Sequence, residues 1–299
     1  MKILITGASG LAGSYAARLA SKKHQVLACY NRNPIDFDFC ECAKLDVENE
    51  GECAQVIGNF SPDWAIHSAA ATIVDKCELE KEWAQKLNVD ATRNVCKAAK
   101  KAGSRVLMIS TDYVFDGRKK GGMYVETDAT NPLSFYGKTK LEAEKTTLAS
   151  DAKNAIARTS VIYGLLPAEL RQQRKNFVTW LVDELMAGKK TKLVDDQINC
   201  PAYAGNLAEA LVKICEKNLG GIFHSSGGER ASRLDFGKQI AKEFGLDGKL
   251  LEKGKTSELK QPAPRPYDSS LNVKKLEQAA GIKMITCGQG LALMHNEKK

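Results

Sequence analysis

The sequence predicts an α/β fold, a doubly wound parallel sheet with helices on both faces and a smaller C-terminal lobe. Three observations predict it. Short apolar runs alternate with longer stretches of helical periodicity through the first half of the chain. A glycine-rich turn joins the first apolar run to the first helical stretch. The 299 residues suit one large α/β domain with an added lobe rather than a single minimal domain.

In chain order, Lys2–Thr6 reads as the first strand and Leu11–Lys22 as a helix with Leu11, Tyr15, Ala16 and Leu19 on one face. Gln25–Tyr30 reads as a second strand, Ala43–Val47 as a short third, Glu52–Asn59 as a short helix and Trp64–His67 as a fourth strand. Trp83–Ala102 is a long amphipathic helix that stops near Gly103. Arg105–Ser110, Ser134–Ala149 and Ala155–Thr159 continue the alternation as strand, helix and strand. Such βαβ units build parallel sheets covered on both faces. Residues 1–164 are expected to form the first domain, its sheet completed by elements within 191–244, and residues 165–299 mostly the lobe. Within that second half, Asn176–Ala187, Ala204–Glu216 and Leu234–Phe244 read as helices, and Thr191–Val194 and Gly221–Ser225 as strands. The boundary is expected near Gly164–Leu170, and the proline-rich run 261–266 as a rigid loop.

Composition removes several classes of function. Hydrophobic residues make up 43% and charged residues 27%, enough apolar material for a core and against a disordered chain. The formal charge of +8 comes from lysines strewn along the chain, without the basic stripe and interleaved aromatics of a nucleic-acid surface. The charge fits a phosphorylated small molecule equally well, and no nucleic-acid partner is expected. The start of the chain lacks a secretory pattern and no run is long enough to span a membrane, so no membrane partner is expected. The nine cysteines include no C-x-x-C pair, and Cys40-x-Cys42 fits no common zinc pattern. Reduced thiols in the cytoplasm are the expectation.

Gly7, Gly10 and Gly13 stand between the first strand and the first helix, with Leu11 opening the helix. Glycines there permit a tight turn and let backbone approach a pyrophosphate, while the helix N-terminus offers unpaired N–H groups. In this βαβ context the motif reads as a Rossmann dinucleotide site. The second strand ends in Tyr30-Asn31-Arg32-Asn33, with no acid before Asp36 to take a ribose 2′-hydroxyl. Asn31 and Arg32 suit a 2′-phosphate, so NADP(H) is favoured over NAD(H). Asp46 and Val47, after the third strand, are placed at the adenine, although Asp46 fits a turn equally well.

Tyr136 alone among the eight tyrosines has lysine four residues on, at Lys140. That spacing puts both side chains on one helix face. A phenol needs such a neighbour, since its free pKa is about 10 and a nearby ammonium stabilises the phenolate. Thr111 closes the fifth strand, where a Rossmann sheet presents groups to the nicotinamide, and its hydroxyl can orient a carbonyl toward Tyr136.

Together these residues resemble the extended short-chain dehydrogenase/reductase superfamily, and more narrowly the dTDP-4-dehydrorhamnose reductase family. Ser110-Thr-Asp-Tyr-Val-Phe-Asp-Gly117 is similar to that family's strand-five signature. Glu126-Thr-Asp128, Asn131-Pro-Leu133 and Tyr136–Lys140 follow in the family's order, and Ala69-Ala-Ala-Thr-Ile-Val-Asp-Lys76 resembles its strand-four loop. Arg158-Thr-Ser160, Lys175-Asn-Phe-Val178, Asp196-Gln197 with Pro201, and Arg265-Pro266 with Ser269 and Leu271 extend the likeness over nearly the whole chain. The resemblance implies NADPH-dependent reduction of the 4-keto group of a nucleotide-linked 6-deoxyhexulose, dTDP-4-dehydrorhamnose to dTDP-L-rhamnose. It implies catalytic roles for Thr111, Tyr136 and Lys140, and places Ala69 and Ala70 at the cofactor. Thr72, Val74, Asp112, Tyr113, Lys175 and Arg265 are implied at the substrate, with Arg171 and Arg174 further candidates for its diphosphate.

Related dehydratases carry an Asp-Glu pair where this chain has Asp112-Tyr113, which argues for plain reduction. Val161 stands where the family often has an aromatic that touches the sugar. Ser14 and Tyr15 replace a glutamate that helps hold a metal between subunits in some members, so no metal is expected, while a homodimer is admitted. Two other readings stay open: a reductase or epimerase for another nucleotide sugar, and a non-catalytic NADP-binding subunit like the regulatory subunit of methionine adenosyltransferase.

Overall fold

A computed structural model describes residues 1–167, 170 and 175–297. Seven parallel strands form the central sheet in the order β11-β6-β5-β4-β1-β2-β3. These are β1 (Lys2–Thr6), β2 (Gln25–Tyr30), β3 (Glu41–Lys44), β4 (Trp64–His67), β5 (Arg105–Thr111), β6 (Ala155–Thr159) and β11 (Gly221–His224). Strand order reverses between β1 and β4, which opens a crevice at their C-terminal ends, the place where such sheets bind ligands. Alternate residues of β1 feed two cores. Ile3 and Ile5 pack with Ala16 and Ala17 of α1 (Leu11–Ala20) and with Leu207, Leu211 and Ile214 of α8 (Ala204–Glu216). Leu4 joins Ile57 of α2 (Glu50–Phe60) and Val95 of α5 (Ala91–Lys101) on the other face. That alternation is the period of two of a strand buried on both sides.

Away from the sheet, α7 (Phe177–Met186), α9 (Arg233–Glu243) and α11 (Cys287–Asn296) enclose a further apolar cluster around Tyr163, Leu181, Phe236 and Leu291. Thr191–Val194, β8, does not extend the central sheet but pairs in parallel with β13 (Leu251–Gly254). Gly221–His224 does complete it, beside β6. The remaining strands are two-residue pairs: β7 (Ile162–Tyr163) with β10 (Ala202–Tyr203), and β9 (Ile198–Asn199) with β12 (Ala231–Ser232). A short helix α10 (Lys274–Ala280) precedes α11. The expected boundary near 164–170 falls partly outside the described residues.

Three elements differ from expectation for identifiable reasons. The third strand is Glu41–Lys44, not Ala43–Val47. Leu45 and Val47 are buried by packing under α2 and α5, after the chain has left the sheet edge. The long helix begins earlier, as α4 (Lys81–Gln85), and runs into α5 through a π-helical turn at Lys86–Asp90. A π turn inserts one residue per turn and redirects side chains. Here it aims Asn88 at the loop after β4, where Oδ1 accepts from the Ala71 N–H at 2.8 Å and Nδ2 donates to the Ala71 carbonyl at 3.2 Å. Helix α3 (Val74–Leu79), expected as loop, has no side-chain cap to announce it.

Helix α6 (Phe135–Ser150) is fixed to the sheet by polar contacts. Its buried stripe includes Thr139, Lys140, Glu144 and Thr147. Glu144 accepts from Arg158 of β6 through both carboxylate oxygens, at 3.0 and 2.8 Å, and from the Ser110 hydroxyl of β5 at 2.5 Å. Both ionic side chains are 3% exposed or less. The Arg158 guanidinium also lies 5.2 Å from the Phe115 ring centre. Breaking one half of a buried pair leaves an uncompensated charge, at a cost of about 3–5 kcal/mol. Arg158→Met should therefore lose roughly that much stability in urea unfolding, and adding Glu144→Gln should recover much of it. A double variant as unstable as Arg158→Met alone would show that the pair is not the source of the loss.

Candidate active site

The C-terminal ends of β1, β2, β4, β5 and β6 border one cleft of about 740 Å³. At its floor the chain turns at Gly7, whose φ is +64°, and a Cβ there would sit 2.8 Å from the Ala69 nitrogen. Only glycine combines that left-handed backbone with so close an approach. The turn is braced from below: the Thr6 hydroxyl bonds His67 Nδ1 at 2.8 Å and accepts from the Ala69 N–H at 3.3 Å. His67 Nε2 in turn meets the Thr92 hydroxyl at 3.1 Å. Burial pulls His67 down to about 3, with Lys140 adding to the effect, so the imidazole is a neutral strut.

Helix α1 begins at Gly10 without a side-chain cap and without an acid in its first turn. Asn49, Ser134, Asn176, Ser232 and Thr286 cap α2, α6, α7, α9 and α11. Helix α1 has no such cap, and its first turn lines the cleft, so its N–H groups are available to an anion there. Gly7, Gly10, Leu11 and Gly13 line this part. Asn31, Arg32, Val47 and Glu48 line the next part, and Ala69 and Ala70 the wall between. Glu48 is bound to Lys86 at 3.2 Å. Asp46 does not line the cleft. Its Oδ1 accepts from the Glu48 N–H at 3.0 Å, which makes it the turn residue that the sequence also allowed.

At the other end stand Thr111, Tyr136 and Lys140, with Thr72, Val74, Asp112, Tyr113 and Lys175 around them. The helix carrying Tyr136 is held tightly to the loop after β5. Ser134 caps it, accepting from the Gly137 N–H at 3.2 Å, and a Cβ on Gly137 would run into the Tyr113 carbonyl oxygen. The Tyr113 and Tyr136 rings meet edge to face with centres 5.9 Å apart. Thr111 Oγ1 accepts from the Tyr113 N–H at 3.2 Å, donates to Asp112 at 3.1 Å and bonds the Tyr136 hydroxyl.

Burial dominates the electrostatics of this cluster. It pushes Tyr136 well above the usual phenol range, and the main opposing influence is the Thr111 hydrogen bond rather than Lys140. The phenol is thus protonated at neutral pH, the state a proton donor requires. Burial also lowers Lys140 to about 8, partly offset by Glu144 and Cys77. The ammonium, 3% exposed, makes no hydrogen bond or ion pair with the described residues. Such a group is costly unless a ligand takes its protons, as the hydroxyls of a bound ribose would. Asp112 is raised by burial to about 6, although hydroxyls of Ser269, Thr111 and Ser160 and the charge of Arg233 hold it down.

Two expected substrate cations are already engaged. Arg265 does not line the cleft and forms a fork with Asp75, at 2.6 and 2.9 Å. Lys175 lies at the rim but pairs with Asp183 at 2.8 Å. Arg171 and Arg174 lie outside the described residues. Sequence reasoning missed Arg233, at the start of α9, whose guanidinium does reach the cleft. Near the position compared with a metal glutamate, the Tyr15 hydroxyl donates to Glu297 at 2.5 Å and accepts from the Leu165 N–H at 3.1 Å.

The sheet order, the uncapped glycine turn and the Thr111–Tyr136–Lys140 cluster define the short-chain dehydrogenase/reductase class. Comparison with known proteins narrows the class. The family described as RmlD substrate binding domain matches residues 1–299. A dTDP-4-dehydrorhamnose reductase from Aggregatibacter actinomycetemcomitans is 35% identical over 295 residues, 94% of each chain. The crystal structure of such a reductase from Bacillus anthracis in complex with NADP superposes with a TM-score of 0.85 at 27% identity, covering 99% of each chain. Methionine adenosyltransferase 2 subunit beta of Xenopus tropicalis is 32% identical over 285 residues, 93% of this chain and 82% of that one. The chain belongs to the dTDP-4-dehydrorhamnose reductase family.

Two substitutions test the cluster. Gly137→Ala should cost about 1–3 kcal/mol, read by urea unfolding, because helix and loop must separate to admit a methyl group. Lys140→Met should behave oppositely in the free protein. The folded lysine releases its proton near 8 and an ordinary one near 10.5, so the burial penalty is complete below pH 8. It fades as pH rises from 8 to 10.5, where only the unfolded chain stays protonated. The variant should therefore melt at or above the parent at pH 7, with the gap closing toward pH 10. A variant less stable at pH 7 would contradict this.

Proposed function

We propose that this protein reduces the 4-keto group of a nucleotide-linked 6-deoxyhexulose with NADPH, most specifically dTDP-4-dehydrorhamnose to dTDP-L-rhamnose. The observation that carries the reading is that Thr111, Tyr136 and Lys140 meet at one end of a cleft whose other end is an uncapped helix N-terminus. The family's reductases support the substrate. When bound, the dihydronicotinamide supplies a hydride to the sugar carbonyl carbon. Gly7, Gly10, Gly13 and the first turn of α1 would hold the pyrophosphate, and Lys140 the nicotinamide ribose. Thr111 orients the carbonyl oxygen, and Tyr136 donates its proton to that oxygen as negative charge develops. Lys140 then stabilises the phenolate that remains. Tyr113 stands where a dehydratase would have a glutamate, which argues for plain reduction.

Preference for NADP(H) is part of the proposal. It is supported by exposed Arg32 beside Asn31 at the cleft rim and by Glu48 being tied to Lys86. A homodimer and a cytoplasmic setting belong to the same reading. Nine free thiols support the setting, and no helix among the described residues is long and apolar enough to cross a membrane. The likeness to methionine adenosyltransferase 2 subunit beta favours a second reading, a cofactor-binding partner without turnover.

Turnover decides between the two. Supplied with enzymatically made dTDP-4-keto-6-deoxy sugar, the parent should oxidise NADPH. Tyr136→Phe should do so about 100-fold more slowly at unchanged NADPH affinity. Equal rates would remove Tyr136 from the chemistry, and no turnover by the parent would favour the binding subunit. NADPH should also outcompete NADH, with Arg32→Ala erasing the difference. A parent that prefers NADH would reverse the cofactor assignment.

A further inference from the structure

Among the cations reaching the cleft, Arg233 stands apart. It opens α9, next to its cap Ser232. Its guanidinium lies 5.1 Å from the Phe177 ring centre. Phe177 is itself stacked on Phe236, with centres 5.8 Å apart and planes 18° from parallel, so the platform is rigid. The guanidinium also lies close enough to Tyr113 for its charge to act on that hydroxyl. Tyr113 is the ring packed edge-on against Tyr136. Arg233 is therefore separated from the proton donor by one aromatic ring.

Arg265 and Lys175 each hold a carboxylate, at 2.6 and 2.8 Å. Arg233 forms no such pair among the described residues. Asp112, the acid that senses its charge, is occupied by hydroxyls of Thr111, Ser160 and Ser269 at 3.1, 3.3 and 2.6 Å. The result is a planar, pre-oriented cation with free donors facing the cleft. Such a fork matches phosphate oxygens and loses little freedom on binding them.

We propose that Arg233 receives the phosphate attached to the sugar of the substrate, and so selects hexoses that carry an anion beside the ring being reduced. This rests on the nucleotide-sugar reading above and adds the residue that recognises the charge. The separation fits the chemistry. A phosphate on the anomeric oxygen lies across one hexose ring from C4, and Arg233 lies across one tyrosine ring from Tyr136.

The test uses the NADP⁺-loaded protein and calorimetric titration with thymidine diphosphate, uridine diphosphate and thymidine. Arg233→Met should weaken the diphosphates roughly ten- to hundredfold, the value of a charge-assisted hydrogen-bonded contact, and leave thymidine and NADP⁺ affinity unchanged. Arg233→Lys should fall between, keeping the charge but losing the fork. Diphosphate affinity equal to the parent in Arg233→Met would overturn the assignment and leave the reductase reading intact. Equal weakening of thymidine or NADP⁺ would also overturn it, since the substitution would then have deformed the cleft. If the parent binds neither diphosphate, both this assignment and the nucleotide-sugar reading fall.

Discussion

The buried contact between Glu144 and Arg158 is the constraint on which the site depends. Glu144 lies one turn beyond Lys140 and two beyond Tyr136 on the same face of α6. Its partners lie on two strands, Arg158 on β6 and Ser110 on β5, and Ser110 directly precedes Thr111. One carboxylate thus sets the height of the helix against the strand end that carries the third member of the cluster. An apolar stripe could bury the same area but would let the helix slide by fractions of a turn. A forked ion pair with a serine hydroxyl on the same oxygen has one geometry. At the other end of α6, Gly137 against the Tyr113 carbonyl removes the remaining freedom, since nothing larger than hydrogen fits between them.

This rigidity is spent on groups that destabilise the free protein. Lys140 is an ammonium without a partner among the described residues, Asp112 a carboxyl held out of water, and the first turn of α1 a set of donors without a cap. Each costs free energy in the protein alone, and on the proposed reading the cofactor would offset the cost at Lys140 and at α1. The neutral strut Thr6–His67–Thr92 and the π turn at Asn88 carry no charge into the cleft, and they brace the loops that form its floor and wall. Stability comes from the two faces of β1 and from α6, while the C-terminal ends of the strands are left open as the cleft.

How far the sequence could be read follows the range of the interactions. β1, β2, β4 and β6 were legible to the residue because they are short, almost wholly buried runs bounded by turns. β3 was misplaced because it is an edge strand, half exposed, whose following Leu45 and Val47 are apolar for packing rather than pairing. Helix α6 was legible from the strand–helix alternation rather than from amphipathicity, since its buried stripe is largely polar. The glycine turn, Thr111, Tyr136 and Lys140 could be named because their chemistry is written in local spacing. Arg265 could not be judged that way: its partner Asp75 is 190 residues away, and nothing near either one reveals the pair. Arg233 carries no motif at all, and only the folding of α9 against Phe177 brings it to the cleft.

Tyr113 gathers these threads. Its N–H fixes the Thr111 hydroxyl, its carbonyl abuts Gly137, its ring meets Tyr136, and its hydroxyl meets Arg233. From sequence it counted as an absence, a position without the glutamate of related dehydratases. In the structure it is a connection. A glutamate here would bring a base to the carbonyl, and would also neutralise Arg233 and leave Tyr136 without its edge-on neighbour. On the proposed reading, a tyrosine at this position leaves the Arg233 charge to the substrate and gives the proton donor its edge-on neighbour.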